Sequence, residues 1–221
     1  MAHGVLFDVD GTLVDTNYLH TVAWAEAFRS FGHNVPMRRL HSLIGQGSGT
    51  LVKTVLGREH EELVDAHTDF YARWLQQVPV FDRAADLLIR CKNSGLVVVL
   101  ATSASAHEAD HLRAALGVDE AIDHVITADD VDAAKPEPDV VHAAVDQGGL
   151  RPEDCLFVGD SVWDVIAARR AGVETICVLT GGTCADDLRE AGATTLYDDV
   201  ASLVRDFDES PLGRLARAGA G

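Results

Sequence analysis

"GVLFDVDGTLVD", Gly4 to Asp15, sets two aspartates directly behind a short apolar run. Val5, Leu6 and Phe7 show no alternation of apolar and polar residues, so the run reads as a strand buried on both faces. Its end carries Asp8 and, two residues on, Asp10. Burying one carboxylate at a strand end costs free energy, and a second costs more unless something compensates them. Gly11 follows at once and lets the backbone turn, so that the two carboxylates can take separate directions and peptide N–H groups can face an anion.

Working outward, further unbroken apolar runs appear at 96–101 (LVVVLA), 124–127 (HVIT), 155–159 (CLFVG) and 174–179 (ETICVL). Amphipathic stretches lie between them at 83–94, 107–116, 138–147 and 162–170, and glycines at 95, 117 and 172 mark helix ends. Strands alternating with helices predict an α/β fold, a Rossmann-like parallel sheet flanked by helices. Between Asp15 and Val78 the rhythm changes to helix alone. Leu19, Ala23, Ala27 and Phe31 share a face beside Trp24 and Phe28, and Leu63, Phe70 and Trp74 mark another helix. The expected organisation is a core of residues 1–14 and 79–208, an inserted α-helical cap domain over 15–78, and a flexible tail over 209–221, where the pattern fades. Within the insertion, "IGQGSGT" (44–50) reads as a loop.

Composition narrows the partners. Against 18 basic residues stand 35 acidic ones, a net charge of −17. Such a surface repels polyanions, so neither nucleic acid nor an anionic membrane is an expected partner, and no protein partner is evident. The longest apolar run is too short to cross a bilayer. No charged leader with an apolar h-region is read ahead of the first strand, and Cys91, Cys155, Cys177 and Cys184 lack metal or redox spacing. A cytoplasmic protein with buried, reduced thiols is the expectation.

Parallel sheets bind ligands at the carboxyl ends of their strands. There this chain places Asp8 and Asp10, then Thr102 and Ser103, then Lys135 beyond the third run, then Asp160, Ser161 and Asp164. Taken singly these are ordinary: Ser161 reads first as a helix cap, and Asp129, Asp130 and Asp132 as a solvated loop. Their convergence is what points to a site. Several carboxylates in one crevice need a cation, and an oxygen-only set favours a hard one, Mg²⁺. A metal, hydroxyl donors and one lysine around a carboxylate nucleophile describe phosphoryl transfer through an aspartyl-phosphate.

The segments "DVDGT", "LATS", "KPEPD" and "VGDSVWD", in this order and spacing, resemble the four motifs of the haloacid dehalogenase superfamily. The helical insertion resembles the cap of its phosphoglycolate phosphatase and β-phosphoglucomutase-like branch. That resemblance implies Asp8 as the nucleophile and Asp10 as acid, then base. It implies Mg²⁺ held by Asp8, the Asp10 carbonyl and Asp160, with Asp164 as a ligand or a support. Thr102, Ser103 and Lys135 would hold the phosphoryl group, and His20 is a candidate to face the site from the first cap helix. The function implied is a Mg²⁺-dependent phosphatase of a small phosphorylated metabolite. A sugar-phosphate mutase and a catalytically silent phosphoester-binding protein remain as alternatives. A dehalogenase or phosphonate hydrolase is disfavoured by Asp10. The mutase would need a cation for a distal phosphate; the 44–50 loop has no lysine or arginine, and the nearest on either side, Arg38, Arg39 and Lys53, read as surface charges.

Overall fold

The computed structural model describes residues 2–219. Six strands form one parallel sheet in the order β3-β2-β1-β4-β5-β6: β1 (Gly4–Phe7), β2 (Val97–Ala101), β3 (His124–Ile126), β4 (Cys155–Gly159), β5 (Glu174–Val178) and β6 (Thr195–Tyr197). Eleven α-helices accompany them: α1 (Asn17–Ser30), α2 (Met37–His41), α3 (Ser48–Leu56), α4 (Glu61–Tyr71), α5 (Ala84–Asn93), α6 (Ala106–Leu116), α7 (Asp139–Gln147), α8 (Val162–Arg170), α9 (Ala185–Ala191), α10 (Val200–Arg205) and α11 (Pro211–Gly219). None is long and apolar enough to cross a membrane.

The unbroken apolar runs have a direct cause. Val5 and Phe7 of β1 pack with Leu87, Leu112, Leu203 and Leu212 on one face, whereas Leu6 packs with Val141, Ala144 and Ala168 on the other. Both faces are covered, so both sets of alternating side chains are apolar. The chain runs outward from β1 to β2 and β3, then returns to β4 on the opposite side of β1. The carboxyl ends of β1 and β4 therefore flank the crevice where the winding reverses.

Between β1 and α5, helices α1 to α4 build a separate apolar cluster of Trp24, Phe28, Leu40, Leu51 and Leu63, with Tyr71 and Leu75 in a smaller one beside it. The stretch expected to be a loop at 44–50 is shorter than that, because α3 already begins at Ser48. Gly47 explains how closely it meets the core: a Cβ at this position would overlap the Cβ of Ala134, next to Lys135.

Three features depart from the expectations. β6 is a sixth strand, three half-buried residues at the sheet edge, too short to register as an apolar run. Cys184 is exposed, unlike Cys91, Cys155 and Cys177; all four are free thiols. The supposed flexible tail is largely helix α11, opened by Pro211 after Ser210, whose hydroxyl accepts from the Gly213 amide at 3.3 Å. Leu212 and Ala216 pack there onto Val204 and Phe207. A nine-residue helix rich in Gly, Ala and Arg carries too few large apolar residues to show its period. Residues 220 and 221 of that tail lie outside the described residues. Leu212 is wholly buried, so Leu212→Ala is expected to cost about 2–5 kcal/mol. Chemical denaturation measures it, and an unchanged midpoint would mean that the segment does not pack.

Candidate active site

Gly11 makes the bend that the sequence demanded: its φ is +78°, and a Cβ there would overlap Asn17 Nδ2 and sit 2.6 Å from Asp160 Oδ2. The bend separates the two aspartates. Asp8 stays at the end of β1 and faces Lys135, whose Nζ donates to Asp8 Oδ1 at 2.6 Å, Asp164 Oδ1 at 2.8 Å and the Ala101 carbonyl at 3.0 Å. Lys135 is fully buried, so its ammonium is held by these three acceptors and not by solvent. Burial alone would lower its pKa, but Asp164 and Asp8 more than reverse that and raise it.

Asp160, at the end of β4, closes the crevice. It accepts from Thr12 Oγ1 at 3.0 Å and Asn17 Nδ2 at 2.9 Å, while Thr12 Oγ1 lies 3.4 Å from Asp8 Oδ2. Asp8, Asp160 and Asp164 are all buried with carboxylate oxygens within 4.8 Å of one another. Three carboxylates thus surround one ammonium. Burial raises the Asp8 pKa to about 7, with Lys135 opposing and Asp164 and Asp10 adding to the rise. Burial, then repulsion from Asp164 and Asp8, lifts Asp160 well above the usual carboxylate range. This oxygen-only set, short of positive charge, fits a hard divalent cation.

Asp164, expected as a ligand or a support, is engaged on both oxygens. Its Oδ1 is taken by Lys135, and its Oδ2 accepts from the Ser161 amide at 3.1 Å and hydroxyl at 2.7 Å. Ser161 returns the contact as N-cap of α8, so the pair is a capping box that also aims Lys135. Asp160 takes one hydrogen bond on each oxygen, from Thr12 and Asn17, and Asp8 Oδ2 has the long Thr12 contact.

Asp10 belongs to a second group. Thr16 Oγ1 donates to its Oδ1 at 2.6 Å, His20 Nε2 lies 3.3 Å from the same oxygen, and Thr102 Oγ1 lies 3.4 Å from Oδ2. Burial alone would raise the Asp10 pKa, but the His20 hydrogen bond and charge, with Thr16, hold it below the usual value. Burial presses His20 down, and Asp10 and Glu108 outweigh it, so His20 is raised. Its Nδ1 meets His67 Nε2 at 3.2 Å. Burial and the His20 charge hold His67 well below its usual pKa, so His67 is the neutral acceptor of the pair. Ser103 lines the same hollow as Asp8 and Asp10, and its hydroxyl donates to the Gly45 carbonyl at 3.1 Å, which ties the core to the helical insertion.

Thr12, Asn17, His67 and Glu108 were not singled out from sequence. Glu108 had a signal that misleads: Ser105 and Glu108 have capping-box spacing, and Ser105 does cap α6. The Glu108 side chain instead turns inward, its Oε1 3.4 Å from His20 Nε2, and burial pushes its pKa up to about 7. Asn17 follows the first motif by one turn and could have been suspected on α1.

Comparison with known proteins gives the geometry its relatives. A model of the haloacid dehalogenase-like hydrolases matches residues 2–172. The phosphoglycolate phosphatase of Yersinia pestis is 32% identical over 214 residues, which cover 92% of this chain and 90% of that protein. The structure of a hydrolase from Pseudomonas syringae superposes with a TM-score of 0.88 at 32% identity, over 94% of this chain and 98% of that one. The β-phosphoglucomutase of Clostridium difficile superposes with a TM-score of 0.82 at 18% identity, over 97% of this chain and 98% of that one, a likeness of fold alone.

The charge imbalance has a thermodynamic signature. A carboxylate whose pKa is raised on folding binds more protons folded than unfolded, so its contribution to stability falls as pH rises from about 4 through about 7. A cation seated between Asp8 and Asp160 offsets that loss. The difference in melting temperature between Mg²⁺ and chelator is therefore expected to grow from pH 5 to pH 8, by several degrees for a site filled well above its Kd. Asp160→Asn should raise the metal-free melting temperature at pH 8 and abolish the Mg²⁺ increment. Thermal melts at the two pH values decide, and an increment that survives in Asp160→Asn would place the ion elsewhere.

Proposed function

The chain belongs to the haloacid dehalogenase-like hydrolases, and on that premise we propose that it is a Mg²⁺-dependent phosphatase of a small phosphomonoester. The observation that carries this reading is the buried Asp8–Lys135–Asp164 assembly beside Asp160, a nucleophile held in place with its charge only partly compensated. Lysine fixes Asp8 Oδ1, which leaves Oδ2 to attack phosphorus. The product of that step is an aspartyl-phosphate on Asp8 and a free alcohol. The Asp8 and Asp160 carboxylates, with the Asp10 carbonyl, would hold Mg²⁺, which when bound supplies positive charge to the phosphoryl oxygens and lowers repulsion against the carboxylate nucleophile.

Asp10 takes the acid and base role. Thr16 and His20 hold it ionised in the structure, which suits its later work, removing a proton from the water that attacks the aspartyl-phosphate. For the first step it must carry a proton. A phosphoryl dianion arriving next to it raises its pKa by like-charge repulsion, so the substrate itself favours the acid form. His20 holds the carboxylate in position through both states, steadied by His67 and by the Tyr71 ring stacked on it at 3.9 Å. Lys135 and the Thr102 region complete the phosphoryl cradle, while the helical insertion acts as a cap over it.

Water is the acceptor in this reading. A mutase must hold a second phosphate in the cap. Arg38 and Arg39 are exposed and line a separate hollow on the Asp160 side, together with Trp163 and Cys184. Lys53 faces the cleft but pairs with Glu59 at 3.5 Å. The near-complete set of polar contacts around Asp8, Asp10 and Asp160 has no use in a silent binding protein.

Two substitutions test the assignment. Asp8→Asn is expected to reduce phosphate release by more than about 10³-fold with the fold intact, since an amide does not attack phosphorus usefully. Activity within tenfold of wild type, in a sample freed of deamidated protein, would remove Asp8 from the role. Asp10→Asn should slow alkyl phosphates by about 10²–10⁴-fold and an activated aryl phosphate much less, because the better leaving group needs less protonation. Equal losses for both substrates, read from kcat/KM, would exclude Asp10 as the acid.

A further inference from the structure

The cleft has two connected parts. A small hollow of about 50 Å³ is lined by Asp8, Asp10, His20, Gln46 and Glu108. It shares Ser48, His67, Ser103 and Glu108 with a larger cavity of about 740 Å³ bounded by α3, α4 and the segments after β2 and β3. With nucleophile and acid both in the small hollow, the leaving alcohol extends into the larger cavity.

The wall of that cavity is one-sided in charge. Lys53 is its one lysine or arginine among the described residues, exposed and committed to Glu59. Against it stand Glu59, Glu108, Asp132 and Glu137, the last paired with Arg170 at 2.8 Å. No cation in the wall is left over for an anionic substituent. The same wall holds two buried polar atoms that make no well-aligned hydrogen bond, Tyr71 Oη and Glu108 Oε1, the latter 3.4 Å from His20 Nε2. They flank His20, and packing alone explains neither: a phenylalanine would fill the place of Tyr71, and the His20 contact leaves the Glu108 carboxyl short of aligned donors. A carboxyl group accepts on both oxygens and donates only when protonated, whereas a phenol both donates and accepts.

We propose that Glu108 and Tyr71 form the leaving-group subsite and that it takes an uncharged, hydroxyl-bearing alcohol, the polyol or sugar part of a phosphomonoester, in preference to one bearing a carboxylate or a second phosphate. The inference rests on the phosphatase reading for which group leaves. A substrate hydroxyl donates to Glu108 Oε1, and another accepts from or donates to Tyr71 Oη, which satisfies both orphaned atoms. A carboxylate in the same place meets a wall of acidic residues, and the nearest cationic group, His20, is already held by Asp10 and Glu108, so it is disfavoured by repulsion and by lack of a free partner. The preference runs against phosphoglycolate, the compound for which the Yersinia pestis relative is named.

Affinity for intact esters tests the subsite without turnover. Asp8→Asn protein with Mg²⁺ is titrated calorimetrically with glycerol phosphate, sorbitol phosphate and phosphoglycolate. The polyol phosphates are expected to bind about tenfold or more tightly than phosphoglycolate. Adding Glu108→Gln should bring that ratio towards one, and adding Tyr71→Phe should weaken the polyol phosphates while sparing phosphoglycolate. Phosphoglycolate binding as tightly as the polyol esters, or a ratio unmoved by both substitutions, would overturn the proposal. Phosphate release from p-nitrophenyl phosphate by the wild-type protein judges the phosphatase reading separately. Its failure would sink that reading, and the affinity ratio would still decide what the subsite prefers.

Discussion

A single buried ammonium carries the site. Lys135 has no solvent contact and binds Asp8, Asp164 and the Ala101 carbonyl at once, so it joins the ends of β1 and β2 to the start of α8. Removing a charge from water at this depth is costly, and only a partner of opposite sign with good geometry offsets it. Two such partners hold Lys135, and a third carboxylate, Asp160, lies close by without one. The compensation is therefore incomplete: what is left over is negative charge, which suits a cation. A neutral, fully paired cluster would be more comfortable and would have nothing to offer an anionic substrate.

The sheet explains why these groups meet at all. Asp8 and Asp160 sit more than a hundred residues apart in the chain, yet β1 and β4 are hydrogen-bonded neighbours with Phe7 opposite Val158, so the residues that follow them emerge together. The crevice exists because the chain leaves β1 in one direction and resumes at β4 in the other. Gly11 then separates Asp10 from Asp8, which puts the two carboxylates in different surroundings. Asp8 sits among other carboxylates and one lysine, and its pKa is raised; Asp10 sits against His20 and Thr16, and its pKa is lowered. Two identical side chains two residues apart are thereby set to opposite tasks by their neighbours.

The helical insertion reaches the site through small contacts with large consequences. Gly47 permits its loop to lie against Ala134, and Ser103 holds the Gly45 carbonyl. His20 and Tyr71 bring α1 and α4 to Asp10, and Glu108 approaches from α6. The cleft wall thus draws on both parts of the molecule, while Asp8, Thr102 and Asp160 come from the strand ends.

The local code was enough for much of this. Unbroken apolar runs imply a sheet buried on both faces, helices between them imply parallel strands, and strand-end residues identify Asp8, Asp10, Thr102, Lys135 and Asp160 as neighbours, since the periods of strand and helix are properties of the chain itself. Elements whose signal is short or weak did not show in that way: the three residues of β6, and helix α11, whose place depends on Leu212 finding a core assembled by α5 and α10. Nor could spacing say that Asp164 spends both oxygens on Lys135 and Ser161, that Ser103 faces the insertion, or that Glu108 abandons a capping position to turn inward. Each of those outcomes is a competition between partners far apart in sequence. Side-chain hydrogen bonds and buried charges are settled by whichever donor the tertiary structure brings within 3 Å or so, and that distance is set by packing and not by the order of residues.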